Sequence, residues 1–261
     1  MKNQFYYEKY PEDVGFVNDI GAHTARTIMV KELTLLFNAT YKDSPFKDIR
    51  YKVINENILH KKSISGREKS FSFLKRMYSL DQNLPIYNAL RWAWSVSDSN
   101  EHSLIALLCA LSRDTSLRIT APYIHSLLPG KRVDKEKISS LIEQAFPNRY
   151  SQAVIASMTR NLLSSWTQSG HLHGLAEKTR IKANSNVGSC IFAVALGHLA
   201  GYRGRMLLDT IWIRTLDATD YDIQEYLQRA MKKGWIRYKQ SGGMMEISLI
   251  DEIFRKGVKR E

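Results

Sequence analysis

A chain of 261 residues, 44% hydrophobic and 10% aromatic, with 14 glycines and 6 prolines, is not fibrous, low-complexity or globally disordered. Its 38 Lys and Arg against 26 Asp and Glu leave a net charge of +12, which points to a polyanion or an acidic partner. The two cysteines, Cys109 and Cys190, each sit inside an apolar stretch, which excludes a disulfide framework and suits a reducing cytoplasm.

The polar opening MKNQFYYEKYPED has no apolar core of the kind a signal peptide needs. The longest apolar stretch, Ser103 to Leu111, falls far short of the roughly 20 residues that span a bilayer. The expectation is a soluble, cytoplasmic protein. In chain order, Ile28, Val30, Leu33, Leu35, Leu36 and Phe37 predict a mostly buried helix from His23 to Phe37. Phe46, Ile49, Val53 and Ile54 line one stripe of a second, with Lys47, Asp48, Arg50 and Lys52 outside. Ser65, with Glu68 three residues on, has the capping-box pattern and opens a third through Phe71, Leu74 and Met77 or Tyr78. Pro85 suits the first position of a fourth helix, which carries Trp92 and Trp94. Asn100 or Glu101 starts the most apolar helix, which ends near Asp114.

The clearest boundary is Leu128-Pro-Gly-Lys-Arg-Val-Asp134, a proline-glycine turn between helical segments. It divides the chain into a helical unit, 1–130, and a second unit, 131–261. Asp134 then caps a short helix to Phe146, and Ser151 a longer one to about Trp166. A break at Gln168 to Gly174 is followed by Thr179 to Val187, which has no helical stripe. Gly188 to Leu199 reads as a buried helix of small residues. Arg205 to Thr215 reads as another, with Met206, Leu207, Ile211 and Trp212 inward. Thr219 caps a third, Asp220 to Lys233, striped by Ile223, Leu227, Ala230 and Met231 and ended by Gly234. Trp235 to Lys239 and Met244 to Ser248 flank Gln240-Ser-Gly-Gly243 and predict a β-hairpin. The fold class expected is mainly α, with a C-terminal winged helix-turn-helix-like module.

A winged helix suggests duplex DNA, with one helix in the major groove and the wing along the backbone. Arg229, Lys232 and Lys233 end the candidate recognition helix, and Arg237 and Lys239 sit on the first wing strand. Such cations neutralise phosphates, although at a helix C-terminus they also complement its dipole. Asp220, Asp222 and Glu225 at the start of that helix repel phosphate, which argues against sequence-specific readout. Lys61, Lys62, Arg67 and Lys69 cluster around a helix N-terminus, as an anion site or as a solvated face. Lys178, Arg180 and Lys182 alternate with neutral residues, as in an extended segment along a backbone.

Catalytic patterns are poor. His171-Leu-His173 with Cys190 and His198 lacks the paired spacing of a structural zinc site, so no metal is expected. Ser164, Ser165 and Ser169 are not in a nucleophile elbow, and no glycine-rich nucleotide cradle is present. The five tryptophans read as packing residues. No enzyme activity and no cofactor are expected.

Asn57-Ile-Leu-His-Lys-Lys-Ser-Ile-Ser-Gly-Arg-Glu, running into Leu74-Lys-Arg-Met-Tyr, resembles the BrxA family of BREX phage-defence systems. Its members were formerly described as inner-membrane proteins. The likeness covers about thirty residues. It implies a NusB-like helical N-terminal domain and a non-catalytic, DNA-binding accessory protein. It also implies other defence-system proteins as partners: a methyltransferase, an ATPase and a phosphatase-like component. It carries no catalytic residues to transfer. The alternative is a protein-interaction adaptor that grips an acidic partner in a defence or transcription complex.

Overall fold

Tertiary partners, rather than hydrophobic pattern, decide where the first helix begins. In the computed structural model, which describes residues 8–19, 21–241 and 244–255, α1 spans Val30–Asn38. The expected helix from His23 is therefore shortened. The amides of Ala22 and His23 are held by the Asp114 carboxylate and that of Ile28 by Ser165 Oγ, so the segment makes only one turn, with Ala25 N and Arg26 N donating to the Ala22 carbonyl, before α1 begins. Met29 then takes a left-handed φ of 50° at the junction. Residues 1–7 and the Gly242-Gly243 turn lie outside the described residues.

α2 (Phe46–Ile54) and α3 (Ile64–Tyr78) pack side by side. The cap of α3 is Ser63, whose Oγ accepts from Gly66 N at 3.1 Å, not Ser65 as the sequence suggests. The third position of the helix is then Gly66, which has no side chain to complete a box. α4 (Pro85–Val96) opens on its proline as expected. α5 (His102–Arg113) and α6 (Thr115–Ser126) meet at Asp114, which ends one and caps the other through Ser116 N. α6 was hidden in the sequence by Pro122 in its interior. α7 (Lys135–Ala145) and α8 (Gln152–Gln168) start on Asp134 and Ser151, as predicted. Two short antiparallel strands, β1 (Leu172–His173) and β2 (Thr179–Arg180), follow.

The centre of the molecule is α9 (Val187–Leu199), buried at every position from Val187 to Gly197. A helix that is apolar all round is stable only when other elements surround it. α4, α5 and the helices after it do so, and one hydrophobic core therefore joins residues on both sides of 130. Two features anchor the α9 N-terminus. The buried Glu101 carboxylate accepts from Ser189 N and Ser189 Oγ, each at 2.8 Å, and complements the helix dipole. Gly188 lies so close to Ser97 that a Cβ there would fall 1.8 Å from its Oγ.

The segment Arg205 to Thr215 is not one helix. A 3-10 turn (Gly204–Asp209) and a single turn, α10 (Ile211–Arg214), meet at extended Thr210, whose Oγ1 accepts from Ile213 N. In 3-10 geometry each residue advances by about 120° instead of 100°. Met206 consequently faces out, 58% exposed, while Leu207 is buried. α11 (Asp220–Lys232) has the expected Thr219 cap, reciprocated by Asp222. Ile223, Leu227 and Ala230 are buried, but Met231 is 43% exposed, one helical step of about 100° beyond Ala230. β3 (Ile236–Ser241) and β4 (Met244–Leu249) form the expected antiparallel hairpin, with Tyr238 opposite Ile247. Ile236 and Ile247 point inward, and Tyr238 Oη donates to Gln224 Oε1 of α11 at 2.6 Å. Among the described residues the chain is mainly α-helical, and its last third carries α9, the broken element 204–214, α11 and the hairpin, followed by a 3-10 turn (Asp251–Ile253): the winged-helix-like outline expected, with its middle helix split.

Candidate nucleic-acid interface

Strand alternation sets out the cations of the hairpin. With Ile236 and Tyr238 turned to α11, Arg237 and Lys239 project from the opposite, solvated face. The end of α11 adds Arg229, Lys232 and Lys233, all exposed. Arg229 lies 3.5 Å from Glu225, and Lys233 Nζ sits 4.7 Å above the Trp235 ring. Lys232, Arg237 and Lys239 have no acidic side chain within 4.0 Å among the described residues. Lys232 and Arg237 are open to an anion, whereas Lys239 shares its face of the hairpin with exposed Glu246, its cross-strand partner. The front of α11 differs: Asp220 and Glu225 are exposed beside Tyr221, which is 78% exposed.

The N-terminal cluster is partly spent on structure. Lys61 Nζ is 2.7 Å from Glu32, and Arg67 donates to the Ile54 carbonyl at 2.8 Å. Lys62 and Lys69 remain exposed and without an acidic partner among the described residues. The extended set is corrected further. Arg180, opposite Leu172 in the β1–β2 ladder, is turned into the core and is 3% exposed. Its guanidinium donates to the carbonyls of Ile124, His171 and Ile181 and pairs with Asp217. It cannot reach a phosphate. Lys178 Nζ donates to the Gly174 carbonyl at 2.5 Å, and Lys182 lies 3.7 Å from Asp222.

One constellation was not legible from local sequence. His23 Nδ1 is 2.6 Å from Asp114 Oδ2, and His23 Nε2 is 2.8 Å from Ser165 Oγ. That is the connectivity of a nucleophile–base–acid relay. All three residues are fully buried, however, and the hydroxyl is engaged: Ser165 Oγ donates to the Asn161 carbonyl and accepts from Ile28 N. Desolvation pushes the Asp114 carboxyl up, but the electrostatic attraction and hydrogen bond of His23, with the hydrogen bond of Ser116, outweigh it and hold the group well below the usual carboxylate range. The group ties residues 22–28 to α6 and α8.

The histidines of the sequence diverge likewise. His171 is buried, with Nε2 donating to the Thr215 carbonyl at 2.8 Å and Nδ1 2.9 Å from Ser169 Oγ, whereas His173 is exposed. Burial pushes the thiols of Cys109 and Cys190 up to about 12, so both stay protonated. No group of three His, Cys, Asp or Glu able to hold a metal occurs among the described residues. No helix among them is long and apolar enough to cross a membrane. No family model matches the chain, and no curated protein matches it.

Proposed function

We propose that this protein binds double-stranded DNA, chiefly through backbone phosphates, as a non-catalytic cytoplasmic accessory protein of a BREX-type phage-defence system. The observation that carries the DNA reading is the exposed trio Lys232, Arg237 and Lys239, unpaired among the described residues on a winged-helix-like module. A net charge of +12 favours association with a polyanion at any sequence. The acidic first turn of α11 argues against reading bases with that end of the helix. The defence context rests on the resemblance at Asn57 to Glu68. The engaged hydroxyl of Ser165 supports a structural role for the His23–Asp114–Ser165 group, in keeping with a protein that performs no turnover.

The experiment is a fluorescence-anisotropy titration of random duplexes with the R229Q/K232Q/R237Q/K239Q variant at several salt concentrations. Each lost phosphate contact flattens the log–log salt slope by about 1, so a reduction of about 3 to 4 is expected. All duplex sequences should weaken alike. Exposed Tyr221 between Asp220 and Glu225 is what favours the alternative, a protein-contacting adaptor. A variant that binds duplexes with the wild-type slope would move the proposal to that reading.

A further inference from the structure

We infer that the outer faces of α2 and α3 form a second phosphate-binding surface, so that one duplex runs from the wing onto this helix pair; this rests on the duplex-binding reading above. The two helices form a fixed pair: the Phe46 and Phe71 rings lie 5.5 Å apart, and Arg67 clamps the Ile54 carbonyl. Lys47 and Arg50, three residues apart on α2, share its solvated side. On α3, Lys69 and Lys75 are exposed, and Lys75 Nζ is placed 4.9 Å above the Phe46 ring at the seam. These four cations have no acidic partner within 4.0 Å among the described residues, and exposed Asp48 and Glu68, with Glu56 beyond α2 beside Lys52, reduce their field. Cations held apart from carboxylates cost self-repulsion in the free protein, and a polyanion relieves it.

The path to the wing is structured. Lys42 Nζ donates to the Glu252 carbonyl at 3.0 Å, directly beyond β4. Gln82 Nε2 donates to the Ser44 carbonyl, and Asn88 Nδ2 to the carbonyls of Gln82 and Phe254. Trp92 of α4 meets Trp235 at the foot of β3 with centroids 5.2 Å apart. The turn leading into α2 is thereby fastened to the base of the hairpin. α3, with 15 residues, is about 22 Å long and would span about six base-pair steps.

The test compares wild type, K47Q/R50Q/K69Q/K75Q and the wing variant on random duplexes of about 10 and 24 base pairs, with thermal unfolding as a fold control. The helix-pair variant should bind the long duplex at least tenfold more weakly, with a salt slope lower by about 3, and the short one almost as wild type does. K47Q/R50Q alone, which leaves Lys75 on Phe46, should lose about half of that slope. An unchanged slope on the long duplex would overturn the inference, as would equal loss on both lengths. Either result leaves the duplex-binding reading standing if wild type still binds and the wing variant shows its reduced slope.

Discussion

Replacing Asp114 by alanine is expected to destabilise the protein by about 3–5 kcal/mol, because it strands a buried partner and several buried donors at once. Its Oδ2 accepts from Ala22 N, His23 N and His23 Nδ1, and its Oδ1 from Ser116 N and Ser116 Oγ. The change therefore removes the cap of α6 together with the tie to residues 22–28. For a chain of this length the melting temperature should fall by roughly 10 °C. Ser165→Ala deletes only one hydroxyl of the same group and should cost about 1–3 kcal/mol. Urea unfolding of both variants checks the order. An Asp114→Ala protein within about 1 kcal/mol of wild type would mean that the buried pair is not what holds the N-terminal segment.

Acid should weaken the fold well before its carboxylates titrate. Burial pushes His171 down to about 4 and, with the neighbouring His171 adding to the effect, His125 down to about 3. Asp217 pulls both the other way, and Arg180 pushes both down. With folded values below the unfolded value of about 6.5, the unfolded chain takes up protons first. Stability is thus fully present above pH 6.5 and is lost as pH falls toward 4, at up to about 1.4 kcal/mol per pH unit for each histidine. Asp114 and Asp217, both held below the carboxylate range, add their own losses only below about pH 4. Urea midpoints at pH 7.5, 6 and 5 should fall steadily, and a His125→Gln variant should show a shallower fall. A midpoint independent of pH across this range would contradict the burial of neutral histidines.

What could be read from sequence follows the distance over which each feature is decided. Pro85, Asp134, Ser151, Thr219 and Gly234 act on amides or dihedrals within a few residues, and each one marks the helix boundary expected of it. The hairpin was legible for the same reason. Residues 22–28 were not, because Asp114 and Ser165, which hold their amides, lie about ninety and one hundred and forty residues away. Arg180 carries the same lesson for the candidate site: alternation along a strand is visible, but which face turns inward depends on Asp217 and Ile124. Lys61 and Arg67 stand in a basic run, but Glu32 and the Ile54 carbonyl, outside that run, engage them. The C-terminal cations are exposed as their pattern implies, because a helix end and a hairpin's outer face are themselves local features.

The most direct test of the central claim is the salt dependence of wild-type affinity for a random duplex of about 24 base pairs. Phosphate binding through the wing, the end of α11 and the α2–α3 face predicts a linear log–log plot with a slope near −5 or steeper. A slope shallower than about −1, or no binding at 50 mM salt, would contradict the assignment of these cations to a nucleic-acid backbone.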